Sequence, residues 1–144
     1  MKTVITRVNS ASVKVDNKLI SEIKNGLLIL VGFTENDNEE KIDYMVNKIT
    51  NLRIFDDESG IMNKSIKDTN GEILSVSQFT LYGDASKGNR PSYIKALKGE
   101  EATKLYDLFN KKLNNIIKTK TGIFGAEMKV ESINDGPVTI IIEK

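Results

Sequence analysis

Residues 27–33 constrain the fold most strongly, because the run Leu-Leu-Ile-Leu-Val-Gly-Phe contains no charged side chain and no strongly polar one. Successive side chains of a β-strand point to opposite faces of the sheet, so an uninterrupted apolar run has to be covered on both faces. The segment is also too short to be an ordinary helix of ten or more residues. It therefore predicts a central strand with packed layers on two sides.

Two helices are predicted by apolar residues that recur at spacings of three and four. The first covers about residues 38–51, and Asp37 and Glu40 have the spacing of a capping box at its start. The second covers residues 99–118, and its outer face, opposite the apolar stripe, is rich in lysine. These lysines either form a solvated surface that suits a helix C-terminus or contact nucleic-acid phosphates. They are Lys111, Lys112, Lys118 and Lys120.

Strands account for most of the remaining chain. Residues 2–15 and 19–23 predict an N-terminal hairpin, and residues 73–80 begin as a buried strand. Two further strands are expected at 121–133 and 138–143, joined by a four-residue connector. Strand-rich halves around two long helices predict an α+β fold with a mostly antiparallel, barrel-like sheet and both helices on one side.

The length and charge of the chain limit its architecture and its partners. A chain of 144 residues predicts one domain, residues 1–144. The formal net charge of +1 gives no whole-molecule basic field, so any RNA contact has to come from a local patch. No apolar run approaches the roughly 20 residues that span a bilayer, and no apolar leader is present at the start. We expect a soluble cytoplasmic protein that has no membrane contact.

The chain contains neither histidine nor cysteine. This excludes Ser-His-Asp and Cys-His nucleophile systems, thiolate chemistry, and the usual zinc sites built from these residues. No carboxylate loop of the EF-hand type is present, and we expect no metal or other cofactor. An enzyme of this composition has to use hydroxyls, backbone amides, lysines or carboxylates, and it suits a substrate that is already reactive.

Polar side chains follow the buried part of the 73–80 strand. Ser77, Gln78, Phe79 and Thr80 place two hydroxyls and a carboxamide within four residues. As a strand, this stretch would send Gln78 and Thr80 to one face and Ser77 and Phe79 to the other. Hydroxyls in strands most often bond neighbouring backbone. The polar loop that follows carries two glycines and two cations, which indicates a ligand site instead.

Two further positions stand out. Arg7 lies in the middle of the first strand, where it forms either an exposed cross-strand ion pair or a structural clamp. Gly136-Pro137 lacks a proline N–H and presents carbonyl oxygens outward. Because only about 5–6% of X-Pro bonds in folded proteins are cis, the local sequence predicts a trans peptide.

Three separated segments resemble one family, the D-aminoacyl-tRNA deacylases of the bacterial and eukaryotic type. The resemblance runs nearly end to end and includes Arg7-Val8 near the start. Three motifs in order, at family lengths, are far more specific than any one of them alone. They are residues 77–83 with 87–91, residues 121–128, and residues 134–139.

The resemblance implies a homodimeric hydrolase that cleaves the ester of D-aminoacyl-tRNA, or of glycyl-tRNA, and spares the L-aminoacyl ester. It implies a cis Gly136-Pro137 peptide that one subunit inserts into the pocket of the other, so that its carbonyl oxygens fill the space an L side chain needs. Arg7 resembles the arginine that holds this dipeptide. Phe124 and Met128 resemble pocket-wall residues.

The resemblance leaves the nucleophile open. An aminoacyl ester is activated by its ammonium group and by the ribose hydroxyl, so positioning and oxyanion stabilisation by amides near residues 78–80 can suffice. Either Thr80 attacks, or water attacks with help from the tRNA 2′-hydroxyl; we favour water. The residues alone also allow a non-catalytic RNA or small-ligand binding module, and a generic esterase built on Thr80 and Lys87.

Overall fold

The structure is a computed structural model that describes residues 1–144. Eight strands and two helices follow in the order β1 (Lys2–Val15), β2 (Lys18–Ile23), β3 (Gly26–Gly32), α1 (Glu39–Asn51), β4 (Phe55–Asp56), β5 (Met62–Lys64), β6 (Glu72–Ser77), α2 (Gly99–Asn114), β7 (Thr119–Thr121) and β8 (Lys129–Glu143). Neither helix has the length and apolar character needed to cross a membrane.

One mixed sheet forms a nearly closed, barrel-like core with the strand order β2-β1-β3-β6-β7, and β8 pairs with β1. The pairs that β1 makes with β2, β3 and β8 are antiparallel, whereas β3–β6 and β6–β7 are parallel. Since β1 is 14 residues long, its first half can pair with β3 and its second half with β2. The predicted α+β class with a barrel-like sheet is confirmed.

The strand β3 lies between two packed layers. Leu27, Ile29 and Val31 face the larger core cluster, to which both helices contribute. Leu28, on the opposite face of the strand, belongs to a second cluster with Leu74 and other side chains of β1, β2 and β6. Both helices pack against the same side of the sheet, as the sequence predicted, and the two-sided burial of β3 is confirmed.

The ends of the helices differ from the prediction. Asn38, not Asp37, caps α1: its Oδ1 accepts from the backbone N–H of Lys41 at 3.1 Å. Asp37 is instead buried against the Met1 ammonium group at 2.6 Å, a long-range ion pair that local spacing cannot indicate. The helix α2 ends at Asn114, four residues before the predicted end, because the Asn114 side chain accepts from Thr119 N–H at 2.9 Å and the chain turns into β7.

The last two predicted strands are one strand. Residues 122–128 are not extended sheet, and β8 pairs with β1 on both sides of the predicted connector 134–137. The register shifts near Val8, so the connector is an irregular stretch within β8 and not a chain reversal. The long strand β1 causes this, since it offers pairing partners to both halves of β8.

Candidate active site

A cleft of about 480 Å³ opens where β6 ends. Ser77, Gln78 and Phe79 line one wall, and Phe124 and Met128, from the segment between β7 and β8, line the other. Gly99, the first residue of α2, borders the same cleft, as do Leu97 and Lys98 before it. The structure therefore brings together three of the four predicted catalytic residues and both predicted wall residues. The fourth, Thr80, lies in the adjoining turn.

The chain leaves β6 in a tight turn instead of continuing as a strand. Gln78 N–H donates to Val31 O at 2.7 Å, and residues Phe79–Tyr82 form a 3₁₀ turn. The predicted alternation of side chains over 77–80 is therefore wrong beyond Ser77. The first N–H groups of a helical turn have no acceptor within it, so the amides of Phe79, which lines the cleft, and of Thr80, in the adjoining turn, are free donors.

The Thr80 hydroxyl accepts a hydrogen bond from Gln78 Nε2 at 2.5 Å. A carboxamide N–H group is not a base, and no carboxylate or lysine bonds this hydroxyl. Thr80 is exposed in the turn, and its oxygen has no partner that could take its proton. The site supplies backbone donors and shape more readily than an activated nucleophile.

Tyr106 of α2 supports both walls of the cleft from behind. Its hydroxyl donates to Ser75 O of β6 at 2.9 Å, and its ring lies 5.6 Å from the ring of Phe124. Burial raises the pKa of the Tyr106 phenol, so the hydroxyl keeps its proton and remains a donor. Sequence reasoning missed Tyr106, although it lies four residues after the buried Ala102 and so on the core face of α2.

Phe79 is an exposed aromatic side chain at the mouth of the cleft, with 51% of its surface accessible. The ring of Tyr93 packs edge-on against it, with ring centroids 5.3 Å apart. Tyr93 is a second supporting residue that the sequence did not single out, because the contact joins a turn to a loop.

Arg7 is buried, so the exposed cross-strand pair considered from the sequence does not form. Its Nη1 donates to Ile54 O at 2.7 Å and lies 3.4 Å from Asp56 Oδ1, while its Nε lies 2.9 Å from Asp135 Oδ2. The guanidinium group thus joins three chain segments. Asp56 and Asp135 were missed, since nothing in the local sequence links them to Arg7.

Gly136 and Pro137 lie in β8 and are exposed. The peptide between them is cis, as the resemblance implies, and the trans peptide expected from local sequence is wrong. Gly136 has a φ of +112°, and a Cβ atom there would lie 3.2 Å from Arg7 Nη2. Gly136 therefore lies beside Arg7, and neither Gly136 nor Pro137 lines the cleft of its own chain.

Three of the four lysines considered as phosphate contacts are paired with carboxylates. Lys112 contacts Glu39 at 2.7 Å and also Asp43. Lys118 and Lys120 both contact Glu72, at 2.6 and 3.6 Å. These contacts favour the structural interpretation of the lysine-rich surface.

Residues 4–143 match the family model described as D-Tyr-tRNA(Tyr) deacylase. The chain is 57% identical to the D-aminoacyl-tRNA deacylase of Flavobacterium psychrophilum, over 99% of this chain and 97% of that protein. It is 53% identical to the D-aminoacyl-tRNA deacylase of Limosilactobacillus reuteri over the full length of both.

Two solved structures have the same fold. One, described as c-Myc DNA Unwinding Element Binding Protein, superimposes with a TM-score of 0.94 and is 44% identical, covering 100% of this chain and 99% of that one. The other, described as a probable eukaryotic D-amino acid tRNA deacylase, gives a TM-score of 0.84 at 17% identity, covering 98% and 97%.

Proposed function

The chain belongs to the D-aminoacyl-tRNA deacylase family, and on that premise we propose that it hydrolyses the ester between a D-amino acid and the terminal adenosine of tRNA. The observation that carries the proposal is the cleft at the end of β6, which is lined by the polar Ser77 and Gln78 and by the apolar Phe124 and Met128. Residues 1–144 act as one domain in this proposal. Its site of action is the cytoplasm, where tRNA is charged.

The cleft suits the aminoacyl end of a tRNA. Its volume of about 480 Å³ lies within the ~300–1,000 Å³ that is usual for ligand pockets. Phe124 and Met128 offer apolar surface to an amino-acid side chain, and Ser77 and Gln78 offer polar contacts to the ester and the ribose. The rejection of an L-aminoacyl ester then depends on what else fills the cleft.

Stabilisation of the oxyanion falls to the amides of Phe79 and Thr80. Gln78 N–H is excluded from this role because it already donates to Val31 O at 2.7 Å. Backbone donors aimed at the developing negative charge cost no reorganisation in the transition state, and removal of one such donor costs roughly 2.7–4 kcal/mol in other hydrolases.

Water is the nucleophile in this proposal, with the neighbouring 2′-hydroxyl of the ribose assisting proton transfer. The water oxygen bonds the carbonyl carbon, the bond from that carbon to the ribose 3′-oxygen breaks, and the proton passes to the departing ribose oxygen. The support for this route is the environment of Thr80, whose hydroxyl contacts only the Gln78 carboxamide. Without a base, a threonine hydroxyl is a weak nucleophile.

Selectivity comes from a second copy of the chain. Gly136 and Pro137 are exposed and lie outside the cleft of their own chain, so a partner subunit has to supply them in a homodimer with cross-subunit sites. The exposed apolar side chains of Ile133 and Ile141, also on β8, favour burial against a partner. Arg7 positions the dipeptide, which occupies the space an L side chain needs. Glycine lacks that side chain, so glycyl-tRNA is a substrate as well.

Incubation with matched D- and L-tyrosyl-tRNA tests the proposal. Selective loss of the D ester is the expected result. Loss of both esters would indicate a generic esterase, as the Thr80 and Lys87 alternative requires. Retention of both, with a shift of the tRNA on a native gel, would indicate a binding module. A parallel incubation with glycyl-tRNA tests the predicted tolerance of glycine.

Mixed dimers test the origin of the selectivity. Ala126 lines the cleft, so Ala126→Trp should block it, while Gly136→Ala combined with Pro137→Ala should disturb the dipeptide. In a mixed dimer, one subunit has a blocked cleft and an intact dipeptide, and the other has an open cleft and an altered dipeptide. If sites are shared between subunits, the open cleft faces the intact dipeptide, and D selectivity returns. If the dipeptide acts within its own chain, the mixed dimer stays unselective.

A further inference from the structure

The mouth of the cleft is bordered by residues 93–98, which lead into α2. This segment is fixed to the end of β3: Thr34 Oγ1 donates to Lys95 O at 2.6 Å, and Leu97 N–H donates to Phe33 O at 2.9 Å. Its last residue, Lys98, lines the cleft itself. The segment therefore forms a rigid border directly beside Phe79.

A closed loop extends from this border. Asp84 and Ser92 exchange two backbone hydrogen bonds, each 2.8 Å long, so residues 85–91 leave and return at one point. A loop of this length reaches at most about 12 Å from its base. Its cations, Lys87 and Arg90, therefore stay close to the cleft mouth.

The cations of residues 84–98 have no carboxylate partners. The stretch contains Lys87, Arg90, Lys95 and Lys98 against one carboxylate, Asp84. Asp84 accepts from Ser86 N–H at 2.9 Å, and none of the four cations forms an ion pair with it or with any other carboxylate. All four cations are exposed. This differs from the paired lysines near the end of α2.

We propose that residues 84–98 form a basic rim that binds the backbone phosphates of the RNA strand whose 3′-terminal nucleoside occupies the cleft. The inference rests on the proposed function, because a terminal aminoacyl adenosine in the cleft forces the preceding nucleotides across this border. Four unpaired cations, two on the closed loop and two on the fixed border, offer phosphate contacts without first breaking ion pairs. Such contacts position the RNA and carry no sequence information, so the rim acts on every tRNA.

Salt dependence measures these contacts. Each phosphate contact on a single strand contributes about 0.7 to the slope of log affinity against log salt. Replacing Lys87, Arg90 and Lys95 together with alanine should therefore lower the slope by about 2. Between about 50 and 200 mM salt, a fourfold change, the kcat/KM of the unaltered protein for D-tyrosyl-tRNA should then fall about 16-fold more than that of the variant.

D-tyrosyl-adenosine, an ester without phosphate, is the matched substrate. The loss of kcat/KM in the rim variant should be confined to D-tyrosyl-tRNA. The matched control variant replaces Lys24, Lys48 and Lys67 with alanine, since these lysines are also exposed and lack carboxylate partners. Lys24 and Lys67 precede β3 and β6, at the ends opposite to the cleft.

Two results would overturn the proposal that the rim binds phosphates. In one, the rim variant keeps the salt slope of the unaltered protein; in the other, the control variant lowers the slope as much. A protein that hydrolyses neither D ester would disprove the proposed function instead. In that event, salt slopes for the binding of uncharged tRNA would still decide whether the rim contacts phosphates.

Discussion

Arg7→Lys is the sharpest single test of how the selectivity element is held. Arg7 uses two different nitrogens, Nη1 for Ile54 O at 2.7 Å and Nε for Asp135 at 2.9 Å. Lysine keeps the charge but has one nitrogen at the end of a flexible stem, so it can serve only one of these groups. The variant removes the connection between the 54–56 segment and β8 and keeps the net charge.

The expected size follows from the contact that is lost. Arg7 Nε makes no hydrogen bond, so its 2.9 Å contact with Asp135 acts as an ion pair. The Asp135 side chain is 43% exposed, and such an ion pair is worth about 0.5–1 kcal/mol. For a chain of this length, its loss lowers Tm by about 2–3 °C. If the same free energy positions Gly136, the ratio of D to L hydrolysis should fall by about 2- to 5-fold.

The assay compares kcat/KM for D- and L-tyrosyl-tRNA, with thermal unfolding measured on the same samples. Arg53→Lys is the matched control, because Arg53 also uses two nitrogens, Nε to Asn63 O and Nη2 to Asn63 Oδ1, both at 2.8 Å, but is exposed. A stable control with unchanged selectivity is expected. If Arg7→Lys lowers Tm and leaves the D to L ratio intact, Arg7 stabilises the fold without positioning the dipeptide.

Three further substitutions test the cleft. Thr80→Ala should retain most of the kcat/KM for D-tyrosyl-tRNA; loss of activity, with an acyl adduct trapped on Thr80 of the unaltered protein, would show that water is not the nucleophile. Tyr106→Phe removes one of the two hydrogen bonds that Ser75 O accepts, the other coming from Gly122 N–H at 3.0 Å, so the free energy of unfolding should fall by about 0.5–1.5 kcal/mol, and kcat should fall with it; a stable variant with normal kcat would contradict this. Gly122→Ala places a Cβ atom 2.5 Å from Met128 Sδ, so KM should rise more for D-tyrosyl-tRNA than for D-alanyl-tRNA, and equal KM changes would count against a wall role for Met128.

Features set by local patterns were predictable from the sequence. The two-sided strand β3 and the helix α1 follow from periodicity alone, because burial of a face repeats at a fixed spacing. The turn after β6 did not follow, since residues 79–82 have the aromatic and β-branched character of a strand. The turn is fixed by tertiary packing: a Cβ atom on Gly32 would lie 2.8 Å from Gln78 O and 3.3 Å from Leu81 Cβ, so the turn closes over the bare backbone of β3.

The site residues also divide into those that local sequence brings together and those that depend on tertiary contacts. Ser77, Gln78 and Phe79 line the same cleft, because adjacent positions in one segment stay together however that segment folds. The partners of Arg7 were not predicted, as Asp56 and Asp135 are separated from it by 49 and 128 positions along the chain. Such contacts depend on the pairing of β1 with β8 and on the path of the chain after α1, which local sequence does not specify.

The small effect on kcat expected for Thr80→Ala and the larger effect expected for Tyr106→Phe both follow from the side-chain chemistry available to this chain. Without histidine or cysteine, no side chain has an ordinary pKa between 5 and 8, so general base catalysis near neutral pH has no natural candidate. In the proposed mechanism, rate acceleration then depends on where the amides of Phe79 and Thr80 point. Their direction is set by the end of β6, which is held by its pairing with β3 and β7 and by the hydrogen bond that Tyr106 donates to Ser75 O. Tyr106, a buried residue behind the cleft, should therefore affect kcat more than the Thr80 hydroxyl in the adjoining turn.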